Sequence, residues 1–249
     1  KKAPILIRSY EHDVSYQHQS KPTQINVNKG KKVAIVGSGP AGLMAASTLA
    51  HKGFQVSLFE SLDQPGGVLR YGIPEFRIPK KILNQEIDSI KSLGVNIQTN
   101  MFIGQTLTLR ELKSQGFAVI LLALGAGVPQ FMDLKGSNLG GVYYGEEFLM
   151  RINLSKPNLF GKAEEDFILG DKVAVIGSGN TALDCARSAR RYSKDVKLIF
   201  RRTEEDMRVR SDEREFAKAE GIVIEHLTKT VEIIEDNNNL VRVLKVNSM

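Results

Sequence analysis

Two stretches of this sequence decide its fold, VAIVGSGPAG at residues 33–42 and VAVIGSGNTA at residues 173–182. Each stretch begins as a short apolar run, which predicts a buried parallel strand, and passes through a glycine-rich turn into a helical pattern. A second strand follows each copy and ends at Glu60 or at Arg201. Because one βαβ unit is used twice, the sequence predicts an α/β fold with two Rossmann-like dinucleotide-binding domains.

The same alternation of strands and helices continues along the rest of the chain. The apolar run at residues 117–123 predicts a further buried strand, and the Gly- and Pro-rich residues 64–80 predict a shaped loop. Residues 1–31 are polar and predict an irregular arm or linker. The predicted strands are residues 32–36, 55–59, 95–98, 117–123, 172–176, 196–200, 222–225 and 241–246, and the predicted helices are residues 41–51, 82–93, 180–191 and 211–220.

The first glycine motif stands where a dinucleotide needs it, after an apolar strand and at the start of a helix. Gly37 permits the tight turn, Gly39 lets the backbone approach a pyrophosphate, and Gly42 allows the helix to pack close to the strand. Glu60 ends the second strand, where a carboxylate accepts hydrogen bonds from ribose hydroxyls. The alternative, a tight turn without a ligand, leaves the matching position of Glu60 unexplained.

The second motif has Gly177, Gly179 and Ala182, with Asn180 predicted as the cap of the following helix. It differs from the first at the end of its second strand, where Arg201 and Arg202 replace the acidic residue. A carboxylate there repels a 2′-phosphate, whereas guanidinium groups bind it in bidentate, charge-assisted geometry.

Eight arginines lie between residues 187 and 214. We assign Arg201, Arg202 and the nearby Arg208 to the 2′-phosphate of NADP(H). The other interpretation, a solvated charged helix face, suits three of the remaining arginines, which flank one helix: Arg187, Arg190 and Arg191. Two dinucleotide sites of unlike polarity then predict FAD in the acidic site and NADPH in the basic one. Hydride transfer between these cofactors needs orientation more than catalytic side chains.

The composition agrees with a globular protein, with 42% apolar and 25% charged residues and a net charge of +6. That modest excess favours anionic ligands over a nucleic-acid coat, and the longest apolar run is too short to span a bilayer. Cys185 is the only cysteine, which excludes an internal disulfide, a redox-active cysteine pair and a four-cysteine cluster. No metal-ligand spacing and no catalytic constellation is visible, so catalytic and metal-binding residues are predicted to be none.

Four segments carry a resemblance to a known family: GSGPAGL at 37–43, PGGVLRYGIPEFRIPK at 65–80, GSGNTALDCAR at 177–187 and FRRTEEDM at 200–207. They resemble the glutamate synthase small (beta) subunit family, which is NADPH-dependent and uses FAD and iron–sulfur clusters. The same module is similar to the flavin region of dihydropyrimidine dehydrogenase and to the flavin subunit of a ferredoxin:NADP oxidoreductase. The long loop motif is more specific to this group than the glycine motifs are.

The resemblance implies a set of cofactor contacts, which we take as the candidate site residues. It also implies a C-terminal segment that completes the second domain and returns to the first, so that the second domain is inserted in the first. Arg208 departs from the glutamate synthase pattern, which has Pro there, and agrees with the dihydropyrimidine dehydrogenase pattern. The implied FAD contacts are Gly37, Ser38, Gly39, Pro40, Ala41, Gly42, Glu60, Gly67, Val68, Arg77, Ile103, Leu124 and Gly125, and the implied NADPH contacts are Gly177, Gly179, Asn180, Thr181, Arg201, Arg202 and Arg208.

The resemblance further implies three parts: an arm at residues 1–31 from a missing iron–sulfur domain, an incomplete FAD-binding domain at 32–150 and an incomplete NADPH-binding domain at 151–249. Any [4Fe–4S] clusters would lie only on that missing N-terminal domain. The implied partner is the glutamate synthase large subunit or another electron-accepting subunit, without nucleic acid or membrane, in the cytoplasm. The alternatives are a ferredoxin:NADP oxidoreductase or dihydropyrimidine dehydrogenase-like enzyme, or a non-catalytic nucleotide-binding regulatory domain.

Overall fold

The structure is a computed structural model and describes residues 30–155 and 169–249. Most of the predicted arm at residues 1–31 therefore lies outside the described residues. Most predicted elements are present within a few residues of their predicted bounds. In chain order the elements are β1 (Lys32–Val36), α1 (Pro40–His51), β2 (Gln55–Phe59), α2 (Val68–Tyr71), α3 (Lys80–Ser92), β3 (Asn96–Gln98), α4 (Leu109–Ser114), β4 (Phe117–Leu122), α5 (Gly145–Ser155), β5 (Lys172–Ile176), α6 (Asn180–Ala189), β6 (Asp195–Ile199), a 3₁₀ turn (Glu204–Asp206), α7 (Ser211–Ala219), β7 (Val223–Glu225), β8 (Thr228–Glu235) and β9 (Val241–Ser248).

Contacts divide the chain into two compact units. The first unit comprises the described residues up to Pro65 together with Asn84–Ala123, and the second comprises Gly66–Leu83 together with Leu124–Met249. This structural division falls elsewhere than the predicted boundary at residue 150, which lies inside α5. The loop segment Gly66–Leu83 belongs with the second unit because its side chains bond to α6 and α7, as described below.

The first unit is a four-stranded parallel sheet in the order β3-β2-β1-β4. β1 pairs in register with β2, from Lys32 opposite Gln55 to Val36 opposite Phe59. The central strands are apolar because both faces are covered, and Ile35 and Leu58 are fully buried. All four carboxyl ends therefore meet at one edge, which is where parallel α/β sheets bind ligands.

β4 corrects one expectation from the sequence. The strand is present, but it is not buried as predicted: Val119 and Leu122 are each more than half exposed. β4 is the outer strand of its sheet and pairs only with β1 among the described strands. An apolar run therefore identified the strand correctly and its burial incorrectly, because an outer strand has a free edge.

The second unit repeats the arrangement with three parallel strands in the order β5-β6-β7. Its core lies between this sheet and the helices, with Leu183 of α6 and Val196 and Leu198 of β6 fully buried. A two-stranded antiparallel sheet, β8-β9, adds to this unit. β9 begins at the predicted residue, whereas its partner β8 was not predicted from the sequence.

Backbone hydrogen bonds join β8 to the end of β6. The amide of Leu227 donates to the carbonyl of Arg202 (2.9 Å), and the amide of Thr228 donates to the carbonyl of Phe200 (3.0 Å). The first residues of β8 consequently lie directly beside the arginine pair. Among the described residues, no helix is both long enough and apolar enough to cross a membrane.

Candidate dinucleotide-binding sites

The first glycine turn holds helix α1 tightly against the end of β1. Gly37 has φ of 102°, and its amide donates to the carbonyl of Phe59 (2.8 Å). A Cβ on Gly42 would overlap the carbonyl oxygen of Gly37, so this helix can approach only with glycine there. A Cβ on Gly39 would instead meet nothing within 4 Å. The turn thus leaves open the face at which a pyrophosphate is expected, and it fits that group.

Glu60 has a different environment from the one that the sequence predicted. It is 5% exposed, and protein donors already reach both of its carboxylate oxygens. Oε2 accepts from the amide of Ser38 (3.0 Å) and from its hydroxyl, while Oε1 accepts from the Ser61 hydroxyl (3.1 Å) and the Leu62 amide (2.9 Å). Because a carboxylate offers about four acceptor sites, a ribose hydroxyl would have to replace one of these donors.

Three further predicted FAD contacts follow strand ends. Ile103 lies beyond β3 and packs partly buried against Ala34, Phe59 and Leu112 in the first unit. Leu124 follows the end of β4 and is two-thirds exposed, at 67%. Gly125 has φ of 71°, and a Cβ there would meet nothing within 4 Å. The roles of these residues in binding FAD stay predictions.

The second glycine turn repeats the geometry of the first. Gly177 has φ of 145°, and its amide donates to the carbonyl of Ile199 (3.0 Å), while Gly179 is open to a ligand. The prediction that Asn180 caps the helix is wrong. Gly179 is the capping residue, and Asn180 is the first residue of α6, because the extended backbone ends one residue earlier than expected.

A cavity of about 620 Å³ opens at this turn, at the carboxyl ends of β5 and β6. It brings together the predicted residues Gly177, Gly179, Arg201, Arg202 and Arg208. β8 supplies residues that the sequence analysis missed, and a segment that follows β4 supplies another wall. The additional lining residues are Met132, Asp133, Leu134, Ile176, Ser178, Phe200, Asp206, Thr228, Lys229 and Thr230.

The arginines separate into two sets by their partners. Five of the eight are bonded to other parts of the chain: Arg187 to Glu220, Arg190 to the Ser193 carbonyl, Arg191 to the Arg187 carbonyl, Arg210 to Asp212 and Arg214 to the Glu204 carbonyl. The three that line the cavity, Arg201, Arg202 and Arg208, are exposed. Within residues 30–155 and 169–249, none of their guanidinium groups has a hydrogen-bond or ion-pair partner. Positive charge is therefore concentrated at this cavity.

Asp206, which lines the cavity beside these arginines, already accepts hydrogen bonds from its own turn. Asp206 accepts from the amide of Thr203 (3.2 Å) and from its hydroxyl (3.0 Å), which closes a capping box on the 3₁₀ turn. Its charge still lies at the cavity, as does that of Asp133, opposite four cationic side chains. Four cationic side chains against two carboxylates leave a net positive charge at the cavity, which favours an anionic ligand.

A second cavity, of about 300 Å³, lies between α2 and the start of α6 within the second unit. It brings two predicted FAD contacts, Val68 and Arg77, together with two predicted NADPH contacts, Asn180 and Thr181. No pattern in the sequence predicts that these four residues meet. Gly67 precedes Val68 and takes φ of 51° at the start of α2.

Arg77 is engaged by carboxylates of the second unit. Its guanidinium pairs with Asp184 of α6 and, at 2.8 Å, with Glu213 of α7. Burial lowers the pKa of Arg77, but the bonds and charges of Glu213 and Asp184 outweigh it and raise that pKa. Burial raises the pKa of Asp184 despite Arg77, whereas the hydrogen bond from Arg77 lowers the pKa of Glu213. A role of Arg77 toward FAD would have to coexist with these bonds.

Other contacts tie the same loop to the second unit. The ring of Phe76 lies under the guanidinium groups of Arg187 (4.4 Å) and Arg191 (4.1 Å). The side-chain Nδ2 of Asn153 donates a hydrogen bond to the backbone carbonyl of Tyr71 (2.8 Å). The prediction that Arg187 and Arg191 face solvent is therefore only partly right, because they also clamp this loop.

Cys185 packs in the core of the second unit. Its thiol lies 3.5 Å from the carbonyl of Gly145, and burial raises its pKa to about 12. It is therefore a thiol and not a thiolate at neutral pH. In the part of the chain that the structure describes, no group of three His, Cys, Asp or Glu side chains could hold a metal ion.

Two glycine turns at the carboxyl edges of parallel sheets, one followed by a carboxylate and one by arginines, define an oxidoreductase of the two-dinucleotide class. The chain belongs to the family described as pyridine nucleotide-disulphide oxidoreductase, whose match covers residues 31–248. Membership confirms the predicted α/β fold, the enzyme class, and FAD and NADPH as the cofactors of the family.

The relatives also confirm the resemblance to the glutamate synthase small chain. The Escherichia coli protein of that name is 32% identical over 96% of this chain and 52% of its own length. The beta subunit of an NADP(+)-dependent formate dehydrogenase from Moorella thermoacetica is 40% identical over 86% of this chain and 29% of its own. The chain thus spans about a third to a half of these relatives. FprA from Mycobacterium tuberculosis shares the fold, with a TM-score of 0.72 at 22% identity over 88% of this chain and 64% of FprA.

Gly39 and Gly42 of the first turn should tolerate replacement by alanine to different degrees. Gly42→Ala should lower the free energy of unfolding by about 1–3 kcal/mol, because its Cβ overlaps the Gly37 carbonyl. Gly39→Ala should change it by less than about 0.5 kcal/mol, because the new methyl group meets open space. Denaturant titration of both variants measures this. Equal stability of the two variants would contradict the close approach of helix and strand.

Arg77→Ala should lower the free energy of unfolding by about 3 kcal/mol at neutral pH, because Asp184 stays buried without its cation. The difference in the free energy of unfolding between the wild type and this variant should become smaller in acid. Asp184, whose pKa burial already raises, becomes protonated in the variant, while the wild type loses the stabilisation tied to the lowered pKa of Glu213. Urea titrations at several pH values measure this. Arg210→Ala, which breaks an exposed pair, is the control and should leave the free energy of unfolding nearly unchanged at every pH.

Proposed function

We propose that this chain is the NADPH-dependent flavin module of a larger redox enzyme, the electron-input part of a glutamate synthase or a related complex. The observation that carries the proposal is the cavity beside the second glycine turn. Three guanidinium groups that have no partner among the described residues line it, two of them just after β6, where the first unit has a carboxylate instead. A 2′-phosphate is the group that distinguishes NADPH from NADH, and paired guanidinium groups suit it.

The residues of the two turns would bind and orient the two nucleotides. The FAD pyrophosphate would be held by Gly37, Gly39 and Gly42 together with the N-terminus of α1. The remaining residues of the same turn, Ser38, Pro40 and Ala41, would complete this site. Gly177 and Gly179 with the N-terminus of α6 would hold the pyrophosphate of NADPH. Once held there, the two cofactors would supply the hydride-transfer and one-electron chemistry, and the residues of the two turns would supply binding and orientation. Val68, Asn180 and Thr181 share one small cavity within the second unit.

The acceptor would lie on another subunit or on iron–sulfur clusters of a further domain. The relatives are named as subunits of a glutamate synthase and of a formate dehydrogenase, which supports a partner subunit. The glutamate synthase large subunit is the proposed partner. A second candidate is the corresponding role beside a different catalytic subunit, favoured by the 40% identity to the formate dehydrogenase beta subunit.

Arg201→Ala and Arg202→Ala should each weaken NADPH binding about 10- to 100-fold and leave NADH binding nearly unchanged, because each removes charge-assisted bonds to the 2′-phosphate. Isothermal titration with both nucleotides measures the difference. Arg210→Ala is the matched control, since Arg210 is bonded to Asp212 and does not line the cavity. An equal loss for NADPH and NADH would refute the 2′-phosphate role.

The 249-residue chain should bind FAD weakly by itself and should fail to retain flavin through purification. The physical reason is that Leu124 and Gly125, two of the implied flavin contacts, are exposed in this chain, so that a flavin bound there would stay open to solvent. Flavin absorbance of the purified chain, before and after added FAD, measures this. Stoichiometric yellow protein would contradict the prediction. Expression with flanking sequence and a partner subunit should restore NADPH-dependent dye reduction, which a binding-only domain would not support.

A further inference from the structure

We propose that β8 helps to determine the nucleotide specificity of the cavity. In this proposal Lys229 is a fourth cationic ligand of the 2′-phosphate, and the hydroxyl of Thr230 donates a hydrogen bond to the nucleotide. This inference rests on the proposed function, because it concerns the same cavity. It adds residues that lie outside both glycine motifs and outside the arginine segment.

The first argument is the position of Lys229. β8 begins beside the arginine pair, since Leu227 and Thr228 donate backbone hydrogen bonds to the carbonyls of Arg202 and Phe200. Lys229 is the next residue; it lines the cavity and is exposed. Within the described ranges it makes no hydrogen bond or ion pair. A lysine without a partner beside three arginines without partners is explained by an anion that all four contact.

The second argument is the hydroxyl of Thr230. Its Oγ1 is buried and finds no hydrogen-bond partner among the described residues, although Thr230 lines the same cavity. A buried hydroxyl without a partner is unfavourable, and native structures rarely keep one without a reason. A phosphate or ribose oxygen in the cavity would satisfy it. The orphan hydroxyl therefore points to a polar ligand independently of the charge argument.

The third argument is the contrast with two lysines that lie beside Glu232 of β8. Lys135 is ion-paired with Glu232, so its charge is already neutralised within the structure. Lys245 on β9 pairs in register with Glu232 and does not line the cavity. Lys229 pairs in register with Asn247 instead, and among these three lysines it alone has no carboxylate bonded to it or opposite it in the described part of the chain.

The test compares 2′,5′-ADP with 5′-ADP by isothermal titration on the 249-residue chain. Lys229→Met keeps the aliphatic stem and removes the charge; it should weaken 2′,5′-ADP about tenfold and leave 5′-ADP within about twofold. Lys245→Met is the matched control and should change neither. Inorganic phosphate serves as a further probe and should bind far more weakly than 2′,5′-ADP. An unchanged affinity, or an equal loss for both nucleotides, would overturn the role of Lys229.

Thr230→Val gives a second readout with an opposite sign. Removing a buried hydroxyl that has no partner should leave the melting temperature of the free protein unchanged or raised, while the affinity for 2′,5′-ADP falls severalfold. A purely structural role would lower the melting temperature and leave affinity alone, which would overturn the role of Thr230. If the wild type itself does not prefer 2′,5′-ADP over 5′-ADP, the proposed NADPH site fails, and this outcome is distinct from a failure of Lys229 alone.

Discussion

The close packing of a helix start against a strand end is the constraint on which both nucleotide sites depend. At the first turn, the helix carries Gly42 where any side chain would overlap the carbonyl of Gly37. That approach directs the free amides of the first helical turn at the carboxyl edge of the sheet. The second turn uses the same geometry with Ala182, whose Cβ would lie 2.9 Å from a Cβ on Gly177. A nucleotide site of this kind is a property of the backbone before any side chain contributes.

Side chains then give the two sites different chemistry. The first unit follows β2 with Glu60, which the protein itself surrounds with hydrogen-bond donors. The second follows β6 with Arg201 and Arg202, whose guanidinium groups have no partner among the described residues, and the nearby Asp206 accepts local hydrogen bonds in a capping box. The same βαβ unit therefore places a hydrogen-bonded carboxylate at one edge and cations without a protein partner in the described chain at the other. The difference in charge distinguishes the two sites.

The sequence predicted what depends on local pattern and missed what depends on distant contacts. Apolar runs and glycines located the strands and turns, since each follows from neighbouring residues. Arg201 and Arg202 were assigned to one site because they follow a strand, and Arg208 because it lies shortly beyond them. The sequence left Arg210 and Arg214, which are also bonded, unassigned. Lys229 and Thr230 could not be found this way, because they reach the cavity only through the pairing of β8 with the end of β6. The bonds of Arg77 to Asp184 and Glu213 likewise join residues more than 100 positions apart.

The four cations that have no partner among the described residues have a thermodynamic consequence for the free protein. They share one rim with only two carboxylates, Asp133 and Asp206, so folding must hold an excess of like charge together against its repulsion. A bound anion removes this repulsion. The binding free energy therefore includes the repulsion energy that the folded protein carries before the anion binds. Stability and binding are therefore coupled at this rim. A substitution there that stabilises the unliganded protein would also weaken its affinity for the anion.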